Sequence, residues 1–180
     1  LYYDDAIFQK AQMDLENSNY EEAVNGFGVI VSRYSNGGFA PYAYLKRAIA
    51  FQNLKRYDET VADYKTILSK YPTHPVAQSA LPGLQDALAL AGRSAEFSDI
   101  LLKYKEVNPA SAGALVNIEF RNAENLYNDQ NYKEATESLK KFVATYPTNA
   151  NIPQARFYLA ESYYRLKDYE NASREYQSLS

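Results

Sequence analysis

The sequence predicts an all-α fold, a right-handed solenoid of antiparallel helix pairs built from about five repeats of roughly 37 residues. Three observations lead there. Asn19-Tyr20-Glu21-Glu22-Ala23 recurs as Arg56-Tyr57-Asp58-Glu59-Thr60, Asn131-Tyr132-Lys133-Glu134-Ala135 and Asp168-Tyr169-Glu170-Asn171-Ala172, with tyrosines 37, 75 and 37 residues apart. Tyr71-Pro72, Asn108-Pro109 and Tyr146-Pro147 close their segments at spacings of 37 and 38, and Tyr34-Ser35 is a first copy without the proline. The two markers share one period, so the 75-residue gap holds one further unit. Between the markers, apolar residues follow the i, i+3/i+4, i+7 spacing of amphipathic helices.

Each repeat reads as two helices. The second helix carries runs such as Ala23, Phe27, Ile30, Val31 and Val61, Tyr64, Ile67, Leu68. The first carries Tyr44, Ala48, Phe51 and, later, Phe157, Ala160, Tyr163. Asn19, Asn131 and Asp168 stand where N-caps are needed, and Glu22 and Glu134 three residues on predict capping boxes. Pro41 and Pro153 open first helices, where a missing N–H does no harm. Asp4-Asp5, Glu21-Glu22 and Asp58-Glu59 fall at helix starts, which the macrodipole favours. Ala11, Ala48, Ala123 and Ala160 share one position of the first helix, and Ala23, Ala135 and Ala172 one of the second. Small side chains there let paired helices approach. The repeats are read as 5–35, 41–72, 78–109, 116–147 and a shortened 153–180, one solenoid over 1–180. The third is degenerate: Ser94 replaces the tyrosine, Phe97 and Gln85 replace the small residues, and Pro82-Gly83 predicts a kink or displacement of its first helix.

Composition excludes several classes of function. A net charge of −3 lacks the basic excess that nucleic-acid binding needs. With no cysteine and one histidine there is no thiolate zinc site, disulfide framework or histidine-rich metal site. That histidine, His74, lies between Pro72 and Pro75 and reads as a solvated loop residue. Gly37-Gly38 is followed by Phe39-Ala40-Pro41, a turn and a helix start rather than a phosphate loop. No stretch of about 20 apolar residues exists to span a bilayer. No catalytic residue, metal or cofactor is expected. The chain opens at Leu1 without Met and stops at Ser180 inside a helical pattern, which suggests a piece of a longer protein.

The pattern resembles the tetratricopeptide repeat. A small residue midway along the first helix is followed by Tyr and then Ala at the start of the second, a large residue four further on, and a closing Pro. Here these are Ala48, Tyr57, Thr60, Tyr64 and Pro72, or Ala123, Tyr132, Ala135, Leu139 and Pro147. The resemblance covers nearly the whole chain. The Tyr-Pro closures and long loops are similar to those of bacterial cell-envelope proteins of the Tol-Pal-associated coordinator and barrel-assembly lipoprotein types. It implies a non-catalytic scaffold that binds a protein or peptide, in the periplasm or at the outer membrane, with the cytoplasm left open.

By analogy with the family, the concave face is lined by Phe8, Gln12, Leu15, Tyr42, Leu45, Ile49, Gln52, Asn117, Phe120, Glu124, Tyr127, Gln154, Phe157, Glu161 and Tyr164. Kinds recur along it: Phe120/Phe157, Glu124/Glu161, Tyr127/Tyr164. Aromatics there either bind a partner or pack against the neighbouring repeat. The family's clamp for C-terminal carboxylates is absent, since Phe8, Gln12, Lys46, Ser79 and Gly83 stand at its positions. Two other readings accompany this one: an accessory domain of a larger enzyme or signalling protein, and self-association as a homodimer through exposed repeat edges.

Overall fold

The computed structural model describes residues 3–179. Leu1 and Ser180, the ends from which the sequence suggests a longer protein, lie outside the described residues. Ten α-helices and no strand occur among those described: α1 (Tyr3–Glu16), α2 (Tyr20–Arg33), α3 (Ala40–Asn53), α4 (Tyr57–Lys70), α5 (Pro75–Leu90), α6 (Ala95–Val107), α7 (Val116–Asn128), α8 (Tyr132–Thr145), α9 (Ile152–Arg165) and α10 (Tyr169–Gln177). A 3-10 segment, Pro109–Leu115, precedes α7. The helices form two compact units, Leu1–Ala91 and Gly92–Ser180. The division falls between α5 and α6, within the stretch read as the degenerate third repeat.

In the first unit each helix packs on the next in sequence, and α3 also touches α1 on one side and α5 on the other. First helices therefore share one face of the unit. In the second unit α7 to α10 repeat this arrangement, and α7 touches α9. The 3-10 segment stands between α6 and α7, anchored by fully buried Leu115. Nothing in the helical periodicity announced it.

One backbone turn joins the helices of the pairs α1–α2, α3–α4, α7–α8 and α9–α10, and its left-handed residue recurs at the boundary between the units. Ser18, Lys55, Gln130 and Lys167 have φ of 63, 59, 62 and 64°, and Gly92 has 66°. Their spacings of 37, 37, 38 and 37 residues repeat the sequence period. At Lys55 the N–H donates to Gln52 O and the next N–H, of Arg56, donates to Phe51 O, at 3.0 and 2.9 Å. The same two bonds recur at Ser18-Asn19, Gln130-Asn131 and Lys167-Asp168. This is the Schellman closure, which satisfies the last carbonyls of the first helix. The residue completing it is also the N-cap of the second helix.

That double duty corrects the capping expectation. Asn19 and Asn131 sit at the N-cap but make no side-chain cap bond, so neither capping box forms. Their carbonyls accept from Ala23 and Ala135 instead. Asp168 does cap with its side chain, its Oδ1 accepting from the Asn171 N–H at 3.2 Å. His74 departs from its expected role. It is half-buried rather than solvated, and its Nδ1 accepts from the Val76 N–H at 3.2 Å as the N-cap of α5. Helix α5 runs through exposed Pro82 without a break, held by fully buried Leu81 and Leu84 on either side.

Packing follows the small residues. Ala11, Ala23, Ala48, Ala123, Ala135, Ala160 and Ala172 are all buried. A Cβ on Gly26 would stand 2.7 Å from the Ala11 Cβ, so α1 and α2 cross where neither side chain can grow. Gly83, read with Pro82 as the place of a kink or displacement, forms a notch: a Cβ there would clash with the Tyr64 Oη. Burial in that notch, with Asp86 and Asp63 nearby, pushes the Tyr64 phenol up to about 12. Arg47 lies across α3 and α4, donating to both Asp63 oxygens at 2.8 and 2.6 Å. Burial nonetheless pushes the Asp63 carboxyl above its ordinary value.

Gly83→Ala is expected to destabilise by roughly 1–3 kcal/mol through overpacking. Urea unfolding of G83A, Tyr64→Leu and the double variant checks this. The double variant should lose clearly less than the sum, because the shorter leucine side chain vacates the notch.

Candidate partner-binding surface

The face shared by first helices is where the expected site residues fall, and the two units present it separately. In the first unit Phe8 is half-buried: Phe39 of the following loop stacks on it at 4.9 Å, and Phe27 meets its ring edge-on at 5.5 Å. Gln12 is half-buried and donates to Glu16 at 2.5 Å. Leu45, Ile49, Leu15 and Gln52 are half-buried as well. Tyr42 is the open residue, 42% exposed, with its ring edge-on to His74 at 5.3 Å.

In the second unit Asn117 and Gln154 are both exposed. Phe120 is not part of the open surface. It is 9% exposed and belongs to a core with Ala123, Leu126, Leu139, Phe142 and Leu159, its ring 5.3 Å from that of Phe142. The 3.6-residue period puts Phe120 and Phe157 in one register, but α7 turns this position toward α8. Phe157 is 42% exposed and Tyr164 53% exposed. Tyr127 is half-buried between Tyr158 at 4.8 Å and Tyr132 at 5.8 Å.

The two recurring glutamates are tied by phenols. Tyr158 Oη donates to Glu124 at 2.9 Å, and Tyr176 Oη donates to Glu161. Burial raises the Tyr158 and Tyr127 phenols, with the Glu124 hydrogen bond adding for the first and the Glu161 charge for the second. Burial, reinforced by the Glu161 hydrogen bond and charge, pushes Tyr176 up to about 12. The Tyr158 and Tyr176 phenols stay neutral donors at physiological pH and fix the orientation of the two carboxylates. The sequence reading found Glu124 and Glu161 but missed Tyr158 and Tyr176, which give them their partners. Tyr158 had a signal: it adjoins Phe157 on the face already identified.

Concavities are present in both units, one in the first walled by Ser35, Asn36, Gly37, Lys70 and Tyr71. A polar cleft of about 230 Å³ lies among α6, α7 and α8. Several of its groups pair with one another, while the buried Asn122 Oδ1 has no hydrogen-bond partner: Lys105 pairs with Glu119 at 2.5 Å, Tyr146 Oη donates to Glu119 at 3.2 Å, and Asn122 Nδ2 donates to Ser98 Oγ at 2.8 Å. A shallower groove of about 510 Å³ is walled by Tyr164, Tyr169, Ala172, Ser173, Tyr176 and Gln177. Among the described residues no cluster of three or more His, Cys, Asp or Glu side chains is placed to hold a metal ion. No helix of the described residues is long and apolar enough to cross a membrane.

Helix pairs closed by one recurring turn, crossing at alanines and stacked through their first helices, are the tetratricopeptide-repeat type of helical fold. Comparisons with known proteins agree on this class. Residues 2–85 match the family model of the outer membrane lipoprotein YfiO, and residues 154–180 match a tetratricopeptide repeat model. No curated protein matches the chain in sequence at a significant level. Among solved structures it is similar to MamA from Desulfovibrio magneticus RS-1, at 17% identity and TM-score 0.61, over 98% of this chain and 92% of that one. A further MamA crystal structure gives 11% identity and TM-score 0.68, over 99% and 90% of the two chains. The C-terminal part of a TPR repeat-containing protein from Cytophaga hutchinsonii gives 21% and 0.57, over 96% of this chain and 63% of that one. At such identities the structures establish the fold alone.

Truncating Phe120 and Tyr164 should separate core from surface. Phe120→Ala is expected to lose about 3–5 kcal/mol, as for buried aromatics generally. Tyr164→Ala should stay within roughly 0.5 kcal/mol of the parent, as exposed substitutions do. Thermal and urea unfolding of the two variants read this difference directly.

Proposed function

We propose that the chain is a non-catalytic scaffold that captures a protein or peptide partner on the first-helix faces, within a bacterial cell-envelope complex. The observation that carries the reading is the exposure of Tyr42, Phe157 and Tyr164 at first-helix positions, on helices whose opposite sides are packed. Aromatics fixed on rigid helices supply contact area with little ordering to offset on binding. An extended or helical segment suits such a face. The match of residues 2–85 to an outer membrane lipoprotein family supports the envelope as the compartment.

A second copy of the chain is the competing occupant, favoured by exposed Tyr3 and Met13 on α1 and by Tyr169 on α10. One experiment addresses both. A photo-crosslinking residue is placed at Tyr42, Phe157 or Tyr164, and for comparison at exposed Lys103 or Lys140 on second helices. Adducts with a different protein in the envelope fraction, formed at the first-helix positions and not at the comparison positions, are the expected result. Equal adducts at all sites would contradict the assigned face. Adducts with the chain itself, together with a doubled mass in light scattering, would favour self-association.

A further inference from the structure

We propose that the cleft among α6, α7 and α8 is a small-molecule site for a zwitterion of amino-acid size. Its ammonium group sits at Asn122 and Asp99, and its carboxylate at Lys141. This goes beyond the scaffold reading, because two of the three walls are second helices and the ligand is not the protein partner.

The repeat shows what is missing from the cleft. Asn122 adjoins Ala123 as Arg47 adjoins Ala48 and Leu159 adjoins Ala160. The other two residues fill their places: Leu159 is 1% exposed, and Arg47 forks onto Asp63. In the second unit both ends of that fork are cut back. Asn122 stands for the arginine, and Ser138, 75 residues after Asp63, stands for the aspartate. The cleft is the space left between them, and both line it. Asn122 is 5% exposed and donates from Nδ2 to Ser98 Oγ at 2.8 Å, while its Oδ1 has no hydrogen-bond partner. Half a turn of the amide would exchange its two atoms and leave the other one over. A buried amide atom without a partner costs stability that a packed leucine would not. A donor bound in the cleft supplies the missing bond.

The charges of the cleft fall into two ends. The bond between Asn122 and Ser98 marks one, with Asp99 next in the chain. The Lys105–Glu119 pair marks the other, where Glu119 also accepts from Tyr146. Lys141 belongs to that second end, since the ring of adjoining Phe142 packs on Phe120, next to Glu119. Asp99 and Lys141 are exposed, and neither makes an ion pair among the described residues. One end thus offers a carboxylate and an amide oxygen, the other an ammonium. From Ser98 to Lys105 helix α6 rises about 10 Å. An α-amino acid with a hydrogen bond of about 2.8 Å from each charged group spans a similar length. The volume of about 230 Å³ is below the roughly 300–1,000 Å³ of drug-sized sites, which suits a compact ligand. Leu101 and Leu102 line the α6 wall between the two ends and give the ligand's carbon atoms an apolar contact.

The test follows amide chemical shifts as the chain is titrated with L-leucine to about 20 mM. Leucinamide and 4-methylpentanoate, which each keep one of the two charges, are titrated alongside. Leucine should give saturable shifts within residues 98–105, 119–122 and 138–141. Each singly charged analogue should bind about tenfold more weakly or worse. Asp99→Asn and Lys141→Gln, both at exposed positions, should each weaken leucine about fivefold. Asn122→Leu fills the cleft as Leu159 fills its own place, so it should abolish the shifts and raise the urea midpoint. No saturable shift, equal affinity for leucine and leucinamide, or leucine affinity unchanged in K141Q would each overturn the assignment. Should Asn122→Leu fail to fold, the two exposed variants still decide the matter. Crosslinking of a partner at Tyr42, Phe157 or Tyr164 involves none of these residues, so either reading can fail without the other.

Discussion

The structure depends on one backbone constraint, the left-handed residue that ends each first helix. It closes the helix, reverses the chain and hands the next residue over as the cap of the second helix. Four of the five positions are filled by Ser, Lys or Gln, for which a left-handed conformation costs roughly 1–2 kcal/mol. Two backbone hydrogen bonds and the burial of both flanking helices offset that strain. Because the connection is one turn, paired helices meet at a fixed register, and alanine recurs where they cross. Burying the apolar stripes of both helices against neighbouring pairs then leaves outer first-helix positions such as Tyr42 and Phe157 open.

Much of this was legible in the sequence because period and small-residue spacing are properties of the chain itself. The tyrosine marker, the alanines and the prolines at helix starts placed the helices. The shared turn was visible in principle too, since Gly92 occupies its position in the degenerate repeat. Only the structure shows that Ser18, Lys55, Gln130 and Lys167 adopt the conformation that glycine adopts easily. The capping boxes failed for a related reason: the motif counts residues, whereas here the backbone of Asn19 was already committed to closing α1. Pro82-Gly83 was legible only as a local propensity, which says nothing of Tyr64, whose phenol fills the space beside the glycine 19 residues away.

The surface was less legible than the fold. A position in the repeat tells which face a residue starts on and not what a neighbouring loop or helix does to it. Phe39 closes over Phe8, and Phe142 draws Phe120 inward, while the equivalent Phe157 stays open. The glutamates recur because each is tied to a phenol from a later helix, a pairing that sequence spacing alone does not reveal. What emerges is a pair of units with packed interiors, the second of which carries aromatics beside the phenol-held carboxylates Glu124 and Glu161.

The most direct check of the account is the stability of Lys55→Gly and Lys55→Val by urea unfolding. If the left-handed turn sets the geometry of each pair, glycine should raise stability by about 0.5–1 kcal/mol, relieving the strain while leaving the packing as it is. Valine, branched at Cβ and unable to sit comfortably at positive φ, should lower it by more than about 1 kcal/mol. Two variants indistinguishable from the parent would contradict the claim that this turn governs the fold.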